Sequence, residues 1–495
     1  MTIAGDVPNQ PVRGWLGHPR GLSTLFFTEM WERFSFYGMR AILVLFLAKS
    51  VADGGFGLAE AAAISIVSIY NSMVYFMSLP GGWVADRLTG TRRAVLYGGI
   101  AIAIGHYLLS LHVQPVFFLG LVVIVLGTGL LKPNISTMVG ELYDKHPELE
   151  EHRRDSGFTI FYMAINLGAL IAPLLTGFFA DRLQWHVAFG IAAVGMTFAV
   201  IQYVLGGKRL EGVGLKPHHP LPAPQRKRIF TIVAAVAAAL AVIYAIDVAA
   251  GWFNADHIKV PLTVLVFAVP VIYFGMIFKD KQLKKEERSR VSAYVWIFLG
   301  ATLFWMIYDQ SSTVVNLFID NKVERDLGFF TIPTAWFQSA NPAFILLLAP
   351  IFAWIWVKLG RRQPGTPVKF SWAIILIGIS FGVMAIAGSL AISGLISAWW
   401  IVLVFLIQTI AELLLSPVGL SVTTKLAPMR YASQIMGLWF LATATGNAIS
   451  AWVGPISERV RDVVYYGTIG AIAVVMGLCF WLGAKAISRL MAGVH

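Results

Sequence analysis

The 495-residue chain carries 38 Lys and Arg against 26 Asp and Glu, a formal net charge of +12, yet only 13% of its residues are charged and 57% are hydrophobic. Soluble domains carry about a quarter charged residues, so this composition, with a mean hydropathy of +0.72, excludes a soluble globular chain. The single cysteine, Cys479, excludes an intrachain disulfide framework and a Cys-rich metal site.

Apolar runs long enough to cross a hydrocarbon core of about 30 Å recur throughout. In lipid each run must satisfy its own backbone, so they read as helices; the alternating ~10-residue strands of a transmembrane barrel are not evident. In chain order the predicted spans are 21–48, 58–86, 94–112, 116–140, 156–180, 186–206, 229–250, 260–278, 291–318, 331–357, 370–391, 398–423, 432–455 and 464–486. The polar, Pro-containing residues before Gly21 do not read as a cleavable signal peptide, because no short apolar core precedes a small-residue cleavage site. With the N-terminus inside, 28 of the 38 Lys and Arg, from Arg13 and Arg20 to Lys485 and Arg489, fall in inside segments and 7 outside. This asymmetry predicts that both termini are cytoplasmic. It also makes the basic charge a topology signal, aided by anionic lipid of the bilayer, rather than a nucleic-acid footprint.

Two polar segments break the pattern: GKRLEGVGLKPHHPLPAPQRKR (207–228) and KDKQLKKEERSR (279–290). They bracket a hairpin, 229–278, whose only interior acid is Asp247, and six spans lie on each side of it. The predicted organisation is an N-terminal six-helix bundle (1–206), a linker carrying a two-helix insert (207–290) and a C-terminal six-helix bundle (291–495). The turns GGWVADRLTGTRR (81–93) and WVKLGRRQPGTP (356–367) follow the second span of each half, as expected of parallel repeats. Within the first turn, Asp86 and Arg87 read as gating-loop residues that pair helices on the cytoplasmic side.

Residues 29–40, EMWERFSFYGMR, place Glu29, Glu32, Arg33 and Arg40 inside the first apolar run. Each charge costs about 2.5–3.5 kcal/mol at the bilayer centre. On a helical wheel all four, with Phe36, fall within an arc of about 100°. The i,i+4 pair Glu29–Arg33 and its neighbour Glu32 partly neutralise each other. Such a face points to partner helices or a wet cavity; the blander reading is a static ion-pair network locking this helix to its neighbours. Lys132, beside Pro133, adds a third cation to the first half, whereas the second half offers Asp309 and Glu412. A cavity between the halves is then positive on one wall and negative on the other. That polarity suits a small zwitterion, its carboxylate on Arg or Lys and its ammonium on Glu412. Glu29, Glu32 and Asp309 suit proton coupling, because the proton affinity of a carboxylate is tuned by burial and by nearby cations. His106 reads as a packed, hydrogen-bonded core residue rather than a proton carrier. His218 and His219 form no metal set, HExxH does not occur, and no nucleophile elbow is evident: the letters G-x-S-x-G occur at GISFG (378–382), inside an apolar run and not at a strand-to-helix turn. The expectation is a non-enzyme with no metal and no cofactor other than protons as coupling ion.

Glu29-x-x-Glu32-Arg33-Phe34 resembles the ExxERF signature of the proton-dependent oligopeptide transporters, within the major facilitator superfamily. GGWVADRLTGTRR resembles the superfamily's loop motif after helix 2. GLLKPN (129–134), FTIFYMAINLGAL (158–170), QSANP (338–342), ELLLSPVGLS (412–421) and GLWFLATATGN (437–447) resemble further family stretches, in order along nearly the whole chain. The resemblance implies an all-α membrane protein of the major facilitator fold: two six-helix bundles plus a two-helix insert, 14 transmembrane helices in all, in a bacterial inner membrane. It implies proton-coupled symport of di- and tripeptides into the cell by alternating access. The alternative on the same fold is another small solute, such as nitrate or a modified amino acid. Arg33, Arg40 and Lys132 would face the peptide carboxylate and, with Glu29, Glu32 and Asp309, the coupling network. Asn166 and Asn341 would hydrogen-bond the peptide, and Glu412 would hold its amino terminus. Tyr37, Tyr75, Trp305 and Trp439 would line side-chain pockets. The sequence departs from the family pattern at Phe36, where a tyrosine is usual, and at Asp309, where glutamate is common. It also lacks, in 58–86, the helix-2 histidine of animal members.

Overall fold

The structure, a computed structural model, describes residues 14–494 apart from 112, 148, 150, 183 and 253. Arg13, one of the predicted inside cations, lies outside the described residues. Fourteen long helical segments follow one another: α1 (Arg20–Ala48), α2 (Glu60–Thr89), α3 (Thr91–Leu109), α4 (Gln114–Asp144), α5 (Glu151–Ala180), α6 (Trp185–Leu205), α7 (Ala223–Ala249), α8 (Asp256–Lys279), α9 (Lys285–Lys322), α10 (Thr334–Leu359), α11 (Thr366–Leu390), α12 (Trp399–Leu426), α13 (Ala432–Val453) and α14 (Asp462–Leu490). Among the described residues, eleven are long and apolar enough by themselves to cross a membrane. α1 is not one of them, because every 18-residue stretch of it holds at least three charges. Its place in the membrane depends on burial: Glu29, Glu32, Arg33 and Arg40 are all buried by neighbouring helices.

In the first half α1 packs on α5 and α6, and α3 on α4 and α6; in the second, α11 packs on α12 and α14, and α9 on α13. Across the seam α2 lies along α13, and α5 meets α10. Two short strands, β1 (Val323–Glu324) and β2 (Ile396–Ser397), pair in parallel and tie the loop after α9 to the loop before α12. The described polar contacts between halves run from mid-membrane toward the end opposite the basic turns. They include Ser72 Oγ to Ala444 O (2.7 Å), Asn316 Nδ2 to Ala41 O (2.8 Å), Asn321 Nδ2 to Glu60 Oε1 (2.9 Å) and the ion pairs Lys49–Asp320 (3.8 Å) and Arg325–Asp181 (3.6 Å). One end of the seam is therefore sealed.

Two departures from the predicted spans have local causes. First, the run predicted as 291–318 is broken: a helix over Lys285–Tyr308 passes into a 3-10 turn at Asp309–Ser312 and resumes at Val314–Lys322. Short polar side chains there compete for the backbone; Ser312 Oγ donates to Asp309 O, and Gln310 Nε2 to Met306 O. Second, α10 begins with a 3-10 turn, Thr334–Ser339, stitched to α5 by Trp336 Nε1 to Leu174 O (2.9 Å) and Ser339 Oγ to Leu170 O (2.8 Å). His106 is fully buried as expected, but among the described residues neither ring nitrogen has the expected hydrogen-bond partner.

The insert stands apart. α8 touches α2 and α13 and buries only Val266, Pro270 and Ile277, whereas α7 buries none of its residues. The lone acid Asp247 on α7 is paired at the hairpin tip with His257 Nδ1, 2.7 Å away.

Candidate functional site

Local sequence dictates how each wall of the central cavity is built. On α4, Pro133 has no N–H to give to the carbonyl of Gly129, one turn back. Gly129 O instead lies against Gly81 of α2, at an approach that a Cβ on Gly81 would prevent. Asn134 Nδ2 closes the gap, donating to Leu130 O (2.7 Å) and Gly81 O (3.3 Å). This tight α2–α4 crossing aims Lys132 inward, its ammonium 3.6 Å from the centre of the Tyr75 ring. On α9, the 3-10 turn at 309 turns Asp309 toward α1.

The cavity has a volume of about 300 Å³, at the small end for ligand sites. α1 contributes Glu29, Arg33, Tyr37 and Arg40; α2 and α4 contribute Tyr75 and Lys132; α5 contributes Asn166. The facing half contributes Trp305, Asp309, Asn341, Glu412 and Trp439. Thus every predicted substrate-binding residue lines one space, with three cations on the first half and two carboxylates on the second. Glu32 does not line it. That side chain is fully buried behind α1 and is reached through Arg33, whose Nε lies 2.5 Å from Glu32 Oε2 and 3.2 Å from Glu29 Oε1. Phe36 is likewise in the core, 5.4 Å from the Arg33 guanidinium.

Asp309 bridges the halves: its Oδ1 is 2.5 Å from Arg40 Nη2, and its Oδ2 accepts from Asn447 Nδ2 at 2.5 Å. Among the described residues no cation forms an ion pair with Glu412. Its Oε2 accepts from Tyr308 Oη (2.8 Å) and Asn341 Nδ2 (2.9 Å), and Asn341 also donates to Thr409 Oγ1 (3.0 Å). Glu412 therefore offers a buried carboxylate, oriented by two donors, to whatever cationic group enters. Trp439 reaches the cavity over Gly419 of α12, where a Cβ would run into its indole.

Sequence reasoning missed Tyr308 and Asn447, which hold the two carboxylates, and the lining residues Tyr162, Gln338 and Ser416. Tyr308 adjoins Asp309 and Asn447 closes the GLWFLATATGN stretch, so both lay within motifs already singled out. Asp86 and Arg87 lie outside the cavity, in the turn that ends α2. The first linker straps across them: His219 N donates to Asp86 O (3.0 Å), Leu221 N to Arg87 O (3.1 Å), and His218 approaches both Asp86 and Glu141 at 3.5 Å. Among the described residues no group of His, Cys, Asp or Glu is arranged to hold a metal ion.

A model of the POT family matches residues 92–472. A di-/tripeptide transporter of Lactococcus lactis subsp. cremoris is 44% identical over 98% of this chain and 99% of its own length. A crystal structure of a POT peptide transporter in complex with sulfate shares 44% identity and a TM-score of 0.93, covering 98% of both chains. A POT family transporter crystallised with 5-aminolevulinic acid shares 38% identity and a TM-score of 0.92 over 96% of this chain and 98% of its own.

Proposed function

The chain belongs to the POT family of membrane transporters, and from that premise we propose that it carries di- and tripeptides into the cell together with protons. The observation that supports the reading best is the polarity of the cavity. Arg33, Arg40 and Lys132 stand on one wall and Glu412 on the other, with aromatic rings between. A short peptide is a zwitterion of that polarity: its carboxylate pairs with guanidinium or ammonium, its amino terminus with Glu412.

Proton coupling follows from the Arg40–Asp309 pair. Protonating Asp309 removes the ion pair, frees Arg40 for the substrate carboxylate and loosens the α1–α9 contact at mid-membrane. Deprotonation restores the pair once substrate has left. Glu29 and Glu32, both on Arg33, form a second carboxylate set behind the cations of the cavity. On this reading the basic end faces the cytoplasm, the membrane is a bacterial inner membrane, and the cavity alternates between its two faces.

Uptake of labelled dialanine into liposomes, with and without an inward proton gradient, tests the reading, with Glu412→Gln run beside the wild-type chain. Gradient-driven uptake that collapses in Glu412→Gln supports peptide symport. Absence of uptake by sealed, folded wild-type protein rejects it. A second reading, a small non-peptide zwitterion, is favoured only by the relative crystallised with 5-aminolevulinic acid; uptake of that compound but not of dialanine decides for it.

A further inference from the structure

The sealed end of the seam holds a second cavity, of about 620 Å³, larger than the central one of about 300 Å³. The two share no lining residue. The first half lends Glu60 and Ile64 of α2 to its wall; the second half lends the ends of α9 and α11 and the start of α14. Two contacts between the halves fix its acidic side. The N-cap of α2, Ala59, supplies no side-chain acceptor. The acceptor comes from the facing half, where Glu458 Oε1 takes the N–H of Ala61 at 2.5 Å. Asn321 Nδ2 of α9 donates to Glu60 Oε1 at 2.9 Å. Glu60 and Glu458 are thereby both held at the first turn of α2, each by one oxygen.

The rest of the wall is not used up by its own contacts. Lys322 of α9 pairs with Asp462, the first residue of α14. Its neighbour Arg461 also lines the cavity, and among the described residues it pairs with no acid. Tyr466, one turn further along α14, is only 1% exposed, its ring packed against Phe318, Phe381 and Tyr465. It lines the cavity too. Among the described residues its hydroxyl has no hydrogen-bond partner, and the charged groups that act on it are Asp462 and Glu60 of the cavity wall. A hydroxyl so deeply placed is costly to leave without a partner. Ile64, Val314, Leu317 and Phe318 supply apolar surface beside these groups.

We propose that this cavity is a second binding site, for a small zwitterion with an apolar body: a free amino acid or a short peptide. The ammonium is taken by Glu60 and Glu458, with the Tyr466 hydroxyl as a further acceptor. The carboxylate is taken by Arg461, and the body lies on the apolar wall. Such an occupant touches both halves, so it favours the closed seam over an open one and stabilises the fold. Binding there does not depend on which solute the central cavity carries.

The test uses the purified full chain in neutral detergent, carrying Glu412→Gln so that the central cavity lacks its ammonium partner. Its Tm is followed during titration with leucine, with dileucine, with leucinamide, which lacks the carboxylate, and with N-acetylleucine, which lacks the ammonium. We expect a saturable rise with a zwitterion and roughly fivefold weaker binding of either single-charge analogue. Adding Arg461→Gln or Glu458→Gln should weaken binding of the zwitterion by a similar factor. A rise with dileucine alone assigns the site to peptides; a rise with leucine assigns it to amino acids. No rise with either zwitterion, analogues that bind as well as leucine, or a rise that survives both added substitutions overturns the proposal. If Glu458→Gln fails to fold, Arg461→Gln, at an exposed position, decides alone. Because Glu412→Gln is present throughout, these outcomes are separate from a failure of dialanine uptake, which bears on the central cavity.

Discussion

Arg40 of α1 and Asp309 of α9 meet at 2.5 Å in the buried centre of the molecule, and both line the central cavity. The same contact is thus a strut between the halves and, on the proposed reading, a competitor for the substrate carboxylate. Asn447 holds the free oxygen of Asp309, so the carboxylate cannot swing away while the pair persists.

Asp309→Asn keeps the shape and removes the charge. Breaking one partner of a buried pair costs about 3–5 kcal/mol, and here the orphan is Arg40. We expect gradient-driven accumulation of dialanine to fall by about tenfold or more, while exchange of labelled for unlabelled peptide at equal pH persists. Undiminished accumulation would show that another carboxylate carries the coupled proton.

Tyr308→Phe removes one of two donors to Glu412 Oε2 and leaves Asn341 in place. A hydrogen bond to a charged group contributes about 1.5–3 kcal/mol, part of which water recovers in an open cavity. The KM for dialanine should rise by roughly three- to tenfold with maximal rate within a factor of about two. A collapse of rate at unchanged KM would place Tyr308 in the conformational step rather than in binding.

Gly419→Ala adds a methyl where the Trp439 indole lies. Overpacking costs typically about 1–3 kcal/mol, so Tm should drop by several degrees and uptake should fall. Trp439→Phe in the same chain should recover most of the lost Tm, because a smaller ring vacates the space. If the double variant is no more stable than Gly419→Ala alone, the clash is not with Trp439.

The insert offers a contrast between its two helices. α7 buries nothing, so Val236→Ala or Leu240→Ala should shift stability by less than about 0.5 kcal/mol. On α8, Val266 is fully buried, and Val266→Ala should cost about 1 kcal/mol or more. Thermal unfolding in one detergent compares the three; equal losses on both helices would mean that α7 packs against protein.

The membership of the site was largely legible in the sequence, and its wiring was not. Charges stand out in apolar runs because lipid makes them expensive, so Arg33, Arg40, Lys132, Asp309 and Glu412 could be picked by cost alone. Tyr308 and Asn447 carry no such penalty, and nothing in their local pattern distinguishes them from other aromatic or amide residues in these helices. Glu32 shows the limit of a helical wheel. It shares the arc of Glu29 and Arg33, yet the packing of neighbouring helices buries it behind the cavity wall.

By itself the sequence determined the fourteen long helices and the two signs of charge inside apolar runs, because each follows from one-dimensional facts: run length and the cost of a charge in lipid. Only the tertiary structure decided that Asp309 takes Arg40 while Glu412 is held by Tyr308 and Asn341, that α9 breaks at the turn which makes the first pairing, and that one end of the seam is closed. Those outcomes depend on which helix faces which across a gap of a few ångströms. Residues 269 positions apart in the chain meet there, and hydrophobic periodicity is silent about such a meeting, since every helix in lipid is apolar on more than one face.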